Sequence, residues 1–149
     1  MVSLTHRPAA ERLWELNQAY SQRLSRARSQ LDLLIRLLER EARPLQTLES
    51  LLWARHQLEE LYLDHRAWRY RYFYGGQQQN TPRMVREETA VMAALTQLER
   101  LGQRSVERLH AIARVFNGLE RPTHTRLPQG DLWEILIDSL NDLAAPLDD

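Results

Sequence analysis

Cysteine and lysine are both absent from the 149 residues, and glycine is held to five. The first absence excludes a disulfide framework, a thiolate metal site and thiol chemistry, and it leaves the redox compartment unmarked. The second makes all 20 basic residues arginine, and 20 acids balance them. Net neutrality argues against a wholesale electrostatic partner such as bulk nucleic acid or an anionic membrane. No apolar run is long enough for a bilayer, because the densest, Leu31 to Leu38, is broken by Asp32 and Arg36. Met1 to Leu16 lacks the apolar core of a secretion signal, so a cytoplasmic location is expected. No Ser-His-Asp arrangement and no glycine-rich phosphate loop is visible, and Glu59-Glu60 and Glu87-Glu88 point to different helix faces. Neither an enzyme nor a cofactor is expected.

What is present favours helices. Leucine fills 27 positions, alanine 14 and glutamine 11, while β-branched residues are few. Glycine and proline fall in clusters at Pro8, Pro44, Gly75-Gly76, Thr81-Pro82 and Asn117-Gly118, then at Pro122, Pro128 and Gly130. Between these marks apolar residues recur in steps of three and four. The first stripe is Leu13, Leu16, Tyr20, Leu24, Ala27, Leu31, Leu34 and Leu38; the second is Leu51, Ala54, Leu58, Leu61, His65, Trp68 and Tyr72. Thr81 and Pro82 suit the start of a third helix. Its seam runs Met84, Glu88, Val91, Leu95, Leu98, Gly102, Ser105, Leu109, Ile112, Phe116. Asp131 and Glu134 make a capping-box pattern ahead of a shorter fourth helix.

The fold class expected is all-α: an elongated antiparallel three-helix bundle, up-down-up, with a short fourth C-terminal helix. The bundle would occupy residues 1–117, a linker loop 118–130, and an acidic amphipathic helix and tail 131–149. Arg43-Pro44 leaves two arrangements, a hairpin or one kinked rod, and the wide apolar stripes on both sides favour the hairpin. The apolar face Leu132, Trp133, Leu136, Ile137 and Leu140 either caps this bundle or enters a groove on a partner, and capping is favoured.

Candidate motifs are weak. Leu95 to Ser105 can be laid on a helix-turn-helix, but Leu98, Gln103 and Arg108 stand where that motif wants one small and two apolar residues. Gly102 and Ser105 read instead as a notch where a neighbour packs close. Glu107-Arg108-Leu109-His110 is a bundle-metal pattern without the second copy it needs. With a turn near residue 77, position x on helix two faces roughly 155 minus x on helix three. His110 then lies level with Leu45, roughly 16 Å from His56, and no metal is expected. The same arithmetic sets His65 level with residue 90, which makes a buried His65–Glu88 pair the expected polar contact of the core, able to fix register or respond to pH.

Charge is the strongest functional signal. Arg23, Arg26, Arg28, Arg66, Arg69, Arg71, Arg83 and Arg86 are expected at one end of the bundle, with Trp68 and Tyr70 among them. Arginine and aromatic side chains together suit a protein interface or a single-stranded nucleic-acid platform. Residues 1–130 hold 20 arginines against 14 acids, which is +6; residues 131–149 hold six acids and no base, which is −6. Neutrality is therefore a cancellation between body and tail. The function expected is a non-enzymatic interaction protein, a small subunit or adaptor with a protein partner. The alternative is an accessory subunit that binds the backbone of single-stranded RNA or DNA through the arginine patch.

Overall fold

The computed structural model describes residues 9–40, 45–73, 88–119 and 125–147. They form α1 (Ala9–Glu39), α2 (Leu45–Phe73), α3 (Glu88–Asn117), a two-residue hairpin β1 (Arg126–Leu127) and β2 (Gly130–Asp131), and α4 (Leu132–Ala144). This is an all-α bundle of three long helices with a short fourth one packed on it. Helix α1 turns back on α2: Asn17 meets His65, Arg28 meets Glu59 and Asp32 meets Arg55. The two are thus a hairpin and not one kinked rod. Thr81, Pro82 and the Gly75-Gly76 turn lie outside the described residues, as do Arg83 and Arg86.

The buried stripes follow helical spacing because a 3.6-residue turn brings every third or fourth side chain to one face. In α1 these are Leu13, Asn17, Tyr20, Leu24, Ala27, Leu31, Leu34 with Ile35, and Leu38. Leu16, expected in the seam, is only partly covered, and polar Asn17 holds its place. In α3 the core side is Val91, Ala94, Leu98, Leu101, Ser105, Leu109, Ile112 and Phe116. Leu95 and Gly102 were expected in that seam, but they turn to a second, half-covered face. On α2, Phe73 is buried and Tyr72 half-buried, which exchanges their expected order.

The C-terminal helix docks on its own chain, against α1 and α3. Leu132, Trp133, Leu136, Leu140 and Leu143 join the core, Ile137 packs at its edge, and Trp133 stacks on Phe116 with ring centroids 5.3 Å apart. The segment expected as a plain linker contains the hairpin that delivers this helix. Arg126 pairs with Asp131 and Leu127 with Gly130, and Gly130 sits at φ 138, which a side chain would strain. Thr125 donates through Oγ1 to Asp131 Oδ1 (2.7 Å), and the same oxygen accepts from the Trp133 N–H (2.9 Å). Asp131 is therefore the N-cap that the sequence marked.

One register expectation is overturned. Trp68 Nε1 donates to the Ala94 carbonyl, Arg104 meets Asp64, and Arg108 bonds both Gln57 and Glu60. Relative to a turn near residue 77, α3 is displaced along α2 by roughly two to three turns. His110 is consequently no longer far along the axis from His56, and distance does not separate the two histidines. His56 instead bonds Glu60 at 3.0 Å. Among the described residues no group of three or more histidines and carboxylates could hold a metal ion, and no helix is long and apolar enough to cross a membrane.

Candidate partner-binding groove

Helix α4 has 13 residues where its neighbours α1 and α3 have 31 and 30. Its start lies at Phe116 of α3 and its end at Arg23 of α1, so it runs antiparallel to both. The helix closes with the Ala145 N–H on the carbonyls of Asn141 and Asp142, and Pro146 follows. Beyond that stop and Leu147, which packs at the near end, the described residues leave the α1–α3 seam open. The trough measures about 640 Å³ and is floored by Leu16, Tyr20, Leu95, Leu98, Gly102 and Val106; Met92 stands at its edge. Arg12 flanks it on α1, Glu99 and Gln103 on α3, and Leu143 to Leu147 close one end. Met92 is 53 % exposed, the largest value among the exposed big apolar side chains described. A Cβ placed on Gly102 would find no atom within 4 Å. The small-residue notch is therefore real at Gly102, but among the described residues no neighbour packs into it. Ser105, its expected companion, is filled: its Oγ donates to the Leu101 carbonyl (2.9 Å) and accepts from the Tyr20 hydroxyl (2.6 Å).

The expected arginine patch is divided between helices and mostly engaged. Arg23 Nη1 donates to the carbonyls of Ala145 (3.1 Å) and Pro146 (3.3 Å), and Arg26 lies 3.7 Å from Asp142. Both thus hold the acidic C-terminal segment. Arg28 bonds Glu59 at 2.7 Å and lies 4.0 Å over the Tyr62 ring. On α2, Arg66 reaches Tyr70 and holds its exposed phenol below the usual value. Arg69 is half-buried with an Nε that bonds nothing, and Arg71 is exposed. Trp68, expected on a stacking platform, is 5 % exposed and committed to the Ala94 carbonyl at 3.0 Å. Its ring serves the core, because a helix-seam position turns it inward.

The polar contact expected between His65 and Glu88 is corrected. Glu88 is exposed at the first turn of α3, and His65, 1 % exposed, bonds Asn17 Oδ1 through Nε2 at 2.9 Å. With the oxygen of Asn17 as acceptor, Nε2 carries the proton. The imidazole also meets the Tyr20 ring edge-on at 4.9 Å and stacks on Trp68 at 5.7 Å. Burial, and secondarily the charge of Arg69, pushes its pKa down to about 4. Burial likewise raises the Tyr20 hydroxyl. The residues that sequence reasoning missed are Asn17, because polar side chains break an apolar stripe, and Met92, because one methionine on a helix gives no sign of its surroundings. Comparison with models of protein families, with curated proteins and with solved structures finds no match to this chain.

Proposed function

We propose that the chain is a non-catalytic interaction protein, a small subunit or adaptor, whose α1–α3 groove holds a partner polypeptide. The observation that carries this reading is the trough left where α4 stops, with Met92 at its rim and open space over Gly102. Apolar surface gathered in a concave site costs free energy while it faces water and recovers it on association. The nucleic-acid alternative draws less from the geometry, since Arg23, Arg26 and Arg28 are engaged within the chain and Trp68 offers no free ring face.

The test is site-specific photo-crosslinking in the source cell, with the reactive group at position 92 and, as a control, at the exposed Leu63 of α2. A protein adduct at position 92 that is missing at position 63 is the expected result. Equal labelling at both, or none at either, removes the reading. A salt titration against single-stranded RNA separates the alternative: a steep slope abolished by Arg66→Glu with Arg69→Glu would favour it.

A further inference from the structure

We propose that residues 145–147 are an intrasteric strap: they occupy the end of the groove next to α4, and a partner gains its full length by displacing them. The proposal rests on the interaction reading above and adds the regulation of that site. The helix ends at Ala145, which turns extended at φ −69 and ψ 151 and gives its N–H to the carbonyls of Asn141 and Asp142. Pro146 then has no N–H to offer. Arg23 holds the segment across the seam, its Nη1 donating to the Ala145 carbonyl at 3.1 Å and the Pro146 carbonyl at 3.3 Å. The half-buried Leu147 completes the attachment. It packs against two apolar clusters, that of Leu136, Leu140 and Leu143 and that of Leu13, Leu98 and Leu101. Among the described residues after 125, it alone reaches the second cluster. Ala145, Pro146 and Leu147 all line the groove.

This attachment differs in kind from that of α4. The helix is seated by the buried side chains of Leu132, Trp133, Leu136, Leu140 and Leu143. The strap has one half-buried leucine and two hydrogen bonds at the surface, which contribute little against water. Ala145 and Pro146 are exposed. Leu147 can therefore leave while α4 stays docked, as end segments open locally at small cost. Its departure joins the surface it covers to the floor of Leu16, Leu98, Gly102 and Val106. An incoming polypeptide replaces both kinds of contact, with an apolar side chain for Leu147 and its own carbonyls for those that Arg23 holds. Strap and partner thus compete, and the apparent affinity is scaled by the fraction of molecules in which the strap is open.

The test uses the purified full chain, its Leu147→Ser and Arg23→Ala variants, and the neutral apolar dye Nile red as probe. Arg23 does not itself line the groove, so its variant acts through the strap. Each variant should bind the dye about threefold more tightly or better. Adding Gly102→Leu, whose side chain extends into the open space of the groove, should remove that gain. The Trp133 indole, followed by NMR, should not shift, because α4 stays seated on Phe116. Three results overturn the proposal: a gain missing from either variant; a gain that survives Gly102→Leu; or a gain accompanied by a Trp133 shift, which would mean that α4 itself has come away. In the source cell, the yield of the position-92 adduct should rise in both variants. An adduct of unchanged yield removes the strap and leaves the interaction reading standing, whereas no adduct in any background removes that reading itself.

Discussion

Lowering the pH should destabilise this protein through a single buried imidazole before its carboxylates matter. His65 is 1 % exposed, with Asn17 on Nε2, the Tyr20 and Trp68 rings around it and the Arg69 charge nearby. Burial, and secondarily the Arg69 charge, favours the neutral ring, and its pKa falls from 6.5 to about 4. In the unfolded chain the ring takes up a proton near 6.5; in the folded chain it resists until about 4. The unfolded state therefore binds more protons in that window, and stability falls as pH falls. At 1.36 kcal/mol for each pH unit of the gap, the loss is about 3 kcal/mol, fully present below pH 4 and absent above 6.5. Glu60, held below its usual value by Arg108, loses its contribution only below about 4.5, so most of the window belongs to His65. Urea unfolding at a series of pH values, for the native chain and His65→Gln, measures the difference. The native chain should lose about 3 kcal/mol more than the variant between pH 7 and 4. NMR titration of the native imidazoles is independent of whether the variant folds. Parallel pH profiles for the two chains, or a His65 ring that titrates near 6.5, would refute the reasoning.

Gly102→Ala should raise stability by about 0.5–1 kcal/mol, because alanine is the better helix former and its methyl meets open space; a lower melting temperature would mean that the site is not open. Leu136→Ala should cost about 2–5 kcal/mol, as for other buried leucines, or release α4 by itself. Hydrogen exchange distinguishes those two outcomes by whether α1 amides lose protection along with α4, and unchanged protection everywhere would contradict docking of α4 on its own chain. Asp131→Ala removes the acceptor of both Thr125 Oγ1 and the Trp133 N–H, at a cost of about 1 kcal/mol in chemical denaturation.

The helices were legible in the sequence because leucine spacing reports a local property, the face that a 3.6-residue turn presents. The N-cap at Asp131 and the docking face of α4 were readable for the same reason: each lies within one or two turns of chain. Register was not. The offset between α2 and α3 depends on where the chain resumes its helix after Phe73, and a turn placed at the glycine pair set His65 against Glu88. The structure instead pairs Asp64 with Arg104. The groove was invisible for a related reason. Leu95 and Gly102 read as core while no helix length limits the cover above them, and the stop at Ala144 exposes them. The division of the arginines follows from the same stop, which sets Arg23 and Arg26 beneath the C-terminal segment.

That stop coincides with a change in the core. The apolar cluster around Leu24, Leu31, Leu58 and Ile112 includes α4, while the cluster of Leu13, Trp68, Val91, Leu98 and Leu101 does not. At their border lie the Asn17–His65 and Tyr20–Ser105 pairs, about one to two turns past the point where Arg23 holds the Ala145 carbonyl. Stripes built so largely of leucine give several nearly equivalent ways to slide one helix on another, since a shift by one turn exchanges leucine for leucine. The polar layer removes that freedom. A 5.4 Å slide of α1 on α2 would take Asn17 from His65 and leave a buried N–H without an acceptor, at about 1–3 kcal/mol. The same slide would part Tyr20 from Ser105. Register in the core and the position of the trough are thus linked: the pairs that hold α1, α2 and α3 in step also hold Leu16 opposite Leu95 and Gly102, one turn beyond the last residues of α4.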